Sequence, residues 1–288
     1  MKSVHNYLLL LRSGNLIILA ISQWMCYHYI SSANPGQSQL PTFYMFLLVV
    51  STVAAAAFGN VVNDFYDREN DALDKPYKTE RIAEIGLKNI RISYIICLIV
   101  ATCSAAIFDW LISTFWLTIV QFFILPLLFL YSRYFKRWLL IGNVLIASLC
   151  AFSLASVLFA FDVYTKSESG TGKIYWFYVG FAFLVTLFRE IVKDIEDVEG
   201  DRKVGCKTIP IVLGTKTAVW IASIPLFTAV FISIALLSLP ETAMTAMVLF
   251  VGMLAVLYRL FRAKSKSEFH SVSQITKWMM LPALMLLL

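Results

Sequence analysis

Nine apolar stretches, each long enough to cross a lipid bilayer as a helix, constrain this chain more than any other feature. A membrane-spanning helix needs about 20 mostly apolar residues. The chain is 59% hydrophobic and 15% charged, whereas a soluble domain is about half apolar and about a quarter charged. The sequence therefore predicts an all-α integral membrane protein with nine transmembrane helices in a bundle around a central cavity, at residues 14–32, 41–62, 88–108, 110–132, 138–161, 174–193, 215–238, 241–260 and 272–288.

The basic residues predict the orientation of these spans. If the N-terminus lies in the cytoplasm, all of the 24 lysines and arginines except Lys166 and Lys173 lie on the inner side. Inner loops of membrane proteins carry such an excess of basic residues. We therefore expect a protein of the cell membrane that contacts membrane lipids and has a cytoplasmic N-terminus. The net charge of +6 then reflects topology, and no nucleic-acid partner is predicted.

Two acidic segments begin where apolar spans end, on the predicted cytoplasmic side. The first is "NDFYDRENDALDKP", residues 63–76, and the second is "REIVKDIEDVEGDRKVG", residues 189–205. Ionisable residues at membrane depth are costly and usually functional. Both segments are therefore expected to contribute to an active site that faces the cytoplasm.

Each acidic segment belongs to a set of four polar residues that follow one another at steps of four, three and four residues. The first set is Asn60, Asp64, Asp67 and Asp71, and the second is Glu190, Asp194, Asp197 and Asp201. Side chains at steps of three and four residues lie on one face of a helix. The second set follows the first by 130 residues, and the same offset carries the second, third and fourth spans onto the sixth, seventh and eighth. We expect a single domain, 1–288, built from two parallel four-helix pseudo-repeats, about 12–135 and 138–265, plus a last helix 272–288. Such repeats often enclose a shared site.

Stacked carboxylates repel one another, so their ionised forms need a cation. Mg²⁺ prefers oxygen ligands and is usually held by a few carboxylates together with substrate phosphates. Two facing carboxylate clusters suit a diphosphate bridged by metal, and basic side chains can bind its remaining oxygens. Apolar surroundings then favour a substrate with a lipid-soluble, allylic tail. A metal stabilises the diphosphate as it leaves that tail. The basic neighbours are Arg68, Lys75, Lys78, Lys136, Lys193, Arg202 and Lys203.

At these residues the sequence resembles the UbiA-type intramembrane prenyltransferase superfamily. Its first signature, N-D-x-x-D-x-x-x-D, is matched by Asn63, Asp64, Asp67 and Asp71. Its second, D-x-x-x-D, is matched by Asp197 and Asp201, with Asp194 preceding them. Two further matches are "RSGN", with Arg12 and Asn15, and "YSRYFK" before "IGN", with Tyr131, Ser132, Lys136 and Asn143.

The resemblance implies Mg²⁺-dependent transfer of a polyprenyl group from its diphosphate to an acceptor. The implied metal ligands are Asn63, Asp67, Asp71, Asp197 and Asp201. The implied catalytic residues are Asp64, Asp194 and Lys193, of which Asp194 helps to activate the acceptor. Substrate would contact Arg12, Asn15, Asn63, Arg68, Lys75, Lys78, Tyr131, Ser132, Lys136, Asn143 and Arg202.

One stretch departs from the family pattern. Members often continue the first motif as Asp-x-x-Asn-Arg-Pro-x-Arg-Pro, whereas this chain has "DALDKPYKTERI", with Asp74 for the asparagine and Lys78-Thr79 for the second Arg-Pro. Lysine keeps the positive charge but lacks the two-pronged geometry of arginine. The phosphate contacts of this loop are therefore expected to differ from those of the family.

The second acidic segment also bears on the acceptor. "KDIEDVEGDRKVGCKTIPIVLG" looks most like the branch that makes digeranylgeranylglyceryl phosphate, which implies geranylgeranylglyceryl phosphate as acceptor and a geranylgeranyl donor. An aromatic acceptor such as 4-hydroxybenzoate, dihydroxynaphthoate or homogentisate is the alternative. A membrane transporter with divalent-cation sites is a further alternative, although the acids of a carrier usually lie near mid-membrane.

Overall fold

The computed structural model describes residues 2–36, 38–166, 173–240 and 242–287, and all regular structure in these ranges is helical. The side chains of Asp74 and Lys173, and positions 241 and 288 in two predicted spans, lie outside this description. The helices are α1 (Lys2–Leu10), α2 (Ser13–Ala33), α3 (Thr42–Asp74), α4 (Pro76–Ile85), α5 (Leu87–Ile112), α6 (Trp116–Arg133), α7 (Ile141–Thr165), α8 (Lys173–Glu196), α9 (Val198–Lys203), α10 (Ile209–Val212), α11 (Thr215–Leu237), α12 (Ala243–Arg262), α13 (Lys266–Trp278) and α14 (Met280–Ala283), with 3₁₀ turns at Phe135–Arg137 and Leu284–Leu287.

Seven of the described helices are long and apolar enough to cross a membrane, and an eighth span is formed if α1 and α2, which meet at a 60° bend, are counted together. The protein is therefore an integral membrane protein of the all-α class. The last predicted span, 272–288, differs from the structure. There α13 begins earlier, at Lys266, and ends at Trp278, and two short helical turns follow it.

Helix α3 continues well past the end of its apolar stretch. Its candidate membrane span ends at Arg68, yet the helix runs to Asp74. It ends because Pro76 follows: a residue before proline avoids the helical region, and Lys75 has φ −137° and ψ 63°. The first acidic segment is thus a helical extension that carries its side chains on fixed faces.

The helices form two compact units. The first unit comprises Met1–Tyr27, Gly36–Lys136 and Phe159–Glu168, and in it α3 packs against α5 and α6. Buried polar side chains join these three helices: Ser51 Oγ donates to Ala101 O at 2.9 Å, and Gln121 Nε2 donates to Ser51 Oγ at 2.8 Å. Hydrogen bonds between helices help to hold membrane bundles together, because lipid offers polar groups no alternative partner.

The second unit comprises His28–Pro35, Arg137–Leu158 and Ser169–Leu288. In this unit α8 packs against α11 and α13, and α11 packs against α12. Small side chains on α11 are fully buried at Ala218, Ala222 and Ala229. Small residues let membrane helices approach closely, so the alanines of α11 explain how it packs on two neighbours.

Candidate functional site

Asn63 and Asp67 begin the acidic face of α3 in the first unit. They lie one turn apart, and Asn63 Nδ2 donates to Asp67 Oδ2 at 2.8 Å. The other carboxylate oxygen of Asp67 forms an ion pair with Lys136, which lies in the 3₁₀ turn after α6. The structure thus brings Lys136, a predicted site residue 69 positions away in sequence, to the predicted ligand Asp67.

Asp64 lies deeper, with 3% of its surface exposed. Arg12 Nη2 lies 3.1 Å from Asp64 Oδ1. Arg12 occupies the break between α1 and α2 and has φ +55°, a left-handed conformation that is uncommon for any residue except glycine. Asn60 Nδ2 donates to Leu11 O at 3.0 Å. Two contacts with α3 therefore hold this break, and the second was not anticipated from the sequence, although Asn60 belongs to the shared spacing.

Asp71 ends the acidic face, just beyond the candidate membrane span. Its carboxylate accepts a hydrogen bond from Lys78 Nζ at 3.1 Å, and Lys78 lies on α4, after the break at Lys75. Burial raises the pKa of Asp71 above its usual value, and the nearby charge of Asp67 raises it further. Lys78 and Lys75 act in the opposite direction by favouring the ionised carboxylate. Asp67 and Asp71 are thus close enough to interact electrostatically.

The other predicted residues of the first unit have more local contacts. Arg68 Nη1 donates to Phe65 O at 2.8 Å, and its guanidinium lies 4.8 Å from the centre of the Phe65 ring. Successive side chains on a helix point in directions about 100° apart, so Arg68 projects to a different side of α3 from Asp67. Ser132 is buried, and its hydroxyl donates to Leu128 O within α6. Tyr131 and Asn15 are half-buried.

In the second unit, Asp194 is held by α7. Asn143 Nδ2 donates to Asp194 Oδ2 at 2.8 Å, and Asn143 is 7% exposed. The preceding residue, Lys193, forms an ion pair with Glu190 on the same helix. The structure thus brings together Asn143 and Asp194, which are 51 residues apart.

The second acidic segment differs from the first in its backbone. Helix α8 ends at Glu196, and α9 begins at Val198 with Asp197 as its N-cap residue, whereas α3 is continuous. Asp201 N donates to Asp197 O at 2.9 Å, so the two predicted ligands still lie one turn apart. Arg202 is exposed.

A contact between the side chains of His270 and Glu196 was not anticipated from the sequence. His270 Nδ1 lies 3.0 Å from Glu196 Oε1 and connects α13 with the end of α8. A single sequence carries no signal for a contact between residues 74 apart.

The donor types of the α3 face suit a divalent cation. Carboxylate and amide oxygens are what Mg²⁺ prefers, and Asn63, Asp67 and Asp71 supply them along one face of α3. In the parts of the chain that the structure describes, no three His, Cys, Asp or Glu side chains are grouped closely enough to hold an ion. Instead, the carboxylates of Asp64, Asp67 and Asp71 are paired with Arg12, Lys136 and Lys78. Basic side chains thus neutralise the charge that a metal would neutralise.

Comparisons with known proteins identify the family to which this chain belongs. The model of the UbiA prenyltransferase family matches residues 23–280. A digeranylgeranylglyceryl phosphate synthase of Sulfolobus acidocaldarius is 34% identical over 237 residues, which cover 80% of this chain and 78% of the relative. The enzyme of that name from Methanosphaera stadtmanae is 36% identical over 170 residues, 59% of this chain, and the chain spans only 58% of that relative's length.

A solved structure shows the same fold. It is that of a UbiA homolog from Archaeoglobus fulgidus bound to GPP and Mg²⁺, and its TM-score is 0.63 at 17% identity, covering 98% of this chain and 99% of that chain. The family match over residues 23–280 and the shared fold identify this chain as a membrane-embedded member of the UbiA prenyltransferase family.

Proposed function

We propose that this protein transfers a geranylgeranyl group from its diphosphate to geranylgeranylglyceryl phosphate. The bond from the allylic carbon to the diphosphate oxygen breaks, diphosphate leaves, and the glycerol hydroxyl oxygen forms an ether bond to that carbon as its proton departs. The observation that carries the proposal is the acidic face of α3, where Asn63, Asp67 and Asp71 lie at the end of an apolar span with basic partners. The names of the two archaeal relatives support the choice of acceptor.

Asn63, Asp67 and Asp71 would hold Mg²⁺ in the first unit. Asp197 and Asp201 of the second unit stay proposed Mg²⁺ ligands on the family resemblance. When bound, the metal supplies positive charge that offsets the charge of the departing diphosphate. The Archaeoglobus homolog that was solved with Mg²⁺ supports this choice of cation.

The basic side chains of the first unit would bind diphosphate oxygens. Lys136 and Lys78 already lie beside Asp67 and Asp71. With a cation held by those carboxylates, the ammonium groups of Lys136 and Lys78 would be available to bind a substrate polyanion. Arg12, which is held at the α1–α2 break beside Asp64, would serve in the same way. Asn15, Arg68, Lys75, Tyr131, Ser132 and Arg202 stay predicted substrate contacts on the family resemblance.

Asp194 would receive the proton of the acceptor hydroxyl. Its Oδ2 atom accepts a hydrogen bond from Asn143, which fixes the carboxylate and leaves its other oxygen as a proton acceptor. Lys193 would assist by holding phosphate. Asp64 would act on the donor side by positioning Arg12.

The finer architecture belongs to the same proposal. It comprises nine spans around a central cavity and two parallel pseudo-repeats of about 12–135 and 138–265. The basic residues of the inner loops favour an orientation in the cell membrane in which the active site faces the cytoplasm. Single-cysteine accessibility at Lys266 and Lys166 tests the orientation. The proposal expects labelling from opposite sides of sealed vesicles.

Incubation of the purified protein and Mg²⁺ with geranylgeranyl diphosphate and a panel of acceptors tests the function. We expect product with geranylgeranylglyceryl phosphate and none with 4-hydroxybenzoate, dihydroxynaphthoate or homogentisate. Product with an aromatic acceptor alone would overturn the choice of acceptor. A protein that moves divalent cations across vesicles and releases no diphosphate would be a transporter instead.

A variant of one proposed metal ligand and a matched control variant test the role of the α3 face. Asp67→Asn should lower the rate by at least about 100-fold, as expected when a group that stabilises the leaving charge is removed. Glu80→Gln, an exposed acid on α4, should keep the wild-type rate. Equal rates for both variants would contradict the role of the α3 face.

A further inference from the structure

Two neighbouring aromatic rings on α3 carry arginines from the adjacent helices of the first unit. The ring centres of Phe65 and Tyr66 lie 5.4 Å apart. The guanidinium carbon of Arg91, on α5, lies 5.6 Å from the centre of the Phe65 ring. That of Arg133, the last residue of α6, lies 5.6 Å from the centre of the Tyr66 ring. The three helices, which pack against one another, thus bring two distant arginines onto one pair of rings.

Arg133 is held in place by more than one ring. Its Nε donates to the hydroxyl of Tyr134 at 2.9 Å, and its guanidinium carbon lies 5.5 Å from the centre of the Tyr134 ring. Rings attract a guanidinium that lies over their faces, and the N–H groups of a guanidinium lie in its own plane. Arg91 and Arg133 are both exposed. The rings therefore position the two positive charges, while the surrounding medium can still reach them.

Both arginines lie where membrane spans meet the membrane surface. Arg133 is the last residue of the candidate span of α6, and Arg91 lies one turn inside the start of the candidate span of α5. One turn deeper on the same two helices are Ile95 and Phe129, which are 47% and 37% exposed. Exposed apolar side chains in a membrane span can contact lipid chains. The two positive charges thus lie directly above an apolar, lipid-facing surface.

Among the residues that the structure describes, Arg91 and Arg133 form no ion pair with a carboxylate. The ion pairs of the first unit engage other basic side chains, on Asp64, Asp67 and Asp71. The aromatic rings attract a guanidinium but carry no net charge that could neutralise it. The described part of the chain therefore supplies these two arginines with positioning contacts and with no opposite charge.

We propose that Arg91 and Arg133 bind the headgroup phosphates of anionic membrane lipids, whose chains lie on the exposed surface of α5 and α6. An anionic phospholipid carries its phosphate at the membrane surface and its chains below, which matches the order of arginines and apolar side chains here. Arginine binds phosphate oxygens with two parallel N–H groups. Basic residues next to membrane spans attract anionic lipids, and the rings would make this attraction specific to one place.

This surface is separate from the acidic face of α3. Tyr66 directly precedes Asp67, and successive side chains on a helix point in directions about 100° apart. The bound lipid is therefore a neighbour of the protein in the membrane and not a reactant. The inference goes beyond the proposed function and holds whichever acceptor the protein uses.

Thermal unfolding of the full chain in a neutral detergent, with added phosphatidylglycerol, tests the inference. This anionic lipid should raise the Tm of wild type, whereas phosphatidylcholine, whose headgroup has no net charge, should not. Arg91→Gln and Arg133→Gln should each raise the phosphatidylglycerol concentration that gives half of the Tm shift by about 10-fold, the usual effect of losing a hydrogen bond to a charged group. Without lipid, both variants should unfold close to the wild-type Tm, because both side chains are exposed.

Arg262→Gln is the matched control. Arg262 is also an exposed arginine at the end of a candidate span, that of α12 in the second unit, and it lies 5.4 Å from the centre of the Tyr258 ring. This variant should keep the wild-type response to phosphatidylglycerol. An equal loss of response in Arg262→Gln would show that the lipid responds to basic charge in general, and it would overturn the site.

Three other results would also overturn the inference. Wild-type responses of both Arg91→Gln and Arg133→Gln would show that these arginines do not bind the lipid. An equal Tm shift with phosphatidylcholine would show that the headgroup charge is irrelevant. An equal shift with inorganic phosphate at the same concentration would show a site for small anions and not for lipids. None of these measurements uses prenyl transfer, so their outcome is independent of the proposed reaction.

Discussion

Arg12 Nη2 lies 3.1 Å from Asp64 Oδ1, although 52 residues separate them. The arginine occupies a strained left-handed position, and the aspartate is almost fully buried. Removal of one partner from a buried pair leaves an unpaired charge, which costs several kcal/mol, and the cost falls where one partner is partly in solvent. A third of the Arg12 side chain is exposed.

Arg12→Ala should therefore lower the free energy of unfolding by about 1–3 kcal/mol. The double variant Arg12→Ala/Asp64→Asn should recover most of that loss, because the buried charge is then absent. Unfolding midpoints in one detergent measure both effects. A double variant that is less stable than Arg12→Ala would show that the ion pair is not the source.

The buried hydrogen bonds among α3, α5 and α6 predict that two variants of the same contact lose different amounts of stability. Gln121 Nε2 donates to Ser51 Oγ, while Gln121 Oε1 is buried without a hydrogen-bond partner. Gln121→Leu removes an amide of which only the nitrogen is hydrogen-bonded, and it should lower the free energy of unfolding by less than about 1 kcal/mol. Ser51→Ala leaves the Gln121 amide nitrogen with only its long hydrogen bond to the backbone oxygen of residue 51, at 3.4 Å, and should lower the free energy of unfolding by about 1–2 kcal/mol. Unfolding measurements that rank the two variants in the reverse order would contradict this account.

The start of α13 predicts a dependence of stability on pH. Glu268 Oε2 accepts hydrogen bonds from the backbone of Lys264 and Ser265, at 2.7 and 2.9 Å, and these bonds lower the pKa of Glu268 below its ordinary 4.5. A lowered pKa in the folded state means that the stabilisation is present above the ordinary value and is lost as the pH falls through the lowered one. The difference in Tm between wild type and Glu268→Gln should thus be largest near neutral pH and shrink below pH 4.5. A difference in Tm between wild type and Glu268→Gln that stays constant with pH would contradict the prediction.

The long spans could be predicted from the sequence because about 20 apolar residues give a strong signal. The stretch 215–238 corresponds to α11, Thr215–Leu237, and 88–108 lies within α5, Leu87–Ile112. Hydropathy marks where a membrane span ends and not where a helix ends, so the predicted span 41–62 did not give the end of α3 at Asp74. The break after Trp278 was also missed, because continuous apolar composition does not reveal where a helix is interrupted.

The residue types of the site could be predicted, but their partners could not. Spacing alone places Asn63, Asp67 and Asp71 on one face of a helix. The pairing of Asp67 with Lys136 joins residues 69 apart, and long-range contacts of this kind leave no trace in one sequence. The equal spacing of the acidic segments suggested equal backbones, and the N-cap position of Asp197 shows that spacing did not determine them.

The pair of Lys136 and Asp67 leads to a prediction in which two binding constants move in opposite directions. Lys136 neutralises Asp67 and so competes with a divalent cation for that carboxylate, yet the same ammonium is proposed to bind the donor diphosphate. Lys136→Met should therefore strengthen binding of Mn²⁺, used as a spectroscopic substitute for Mg²⁺, by about 10-fold, the effect of one nearby unit charge in a partly buried site. The KM for geranylgeranyl diphosphate should rise by a similar factor.

Electron paramagnetic resonance of free Mn²⁺ measures the first change, and initial rates measure the second. Lys88→Met, at an exposed basic position on α5, is the control and should alter neither constant. If Lys136→Met weakened Mn²⁺ binding, the lysine would be supporting the metal site instead of competing with the metal. The proposed release of Lys136 from Asp67 to the diphosphate would then be wrong.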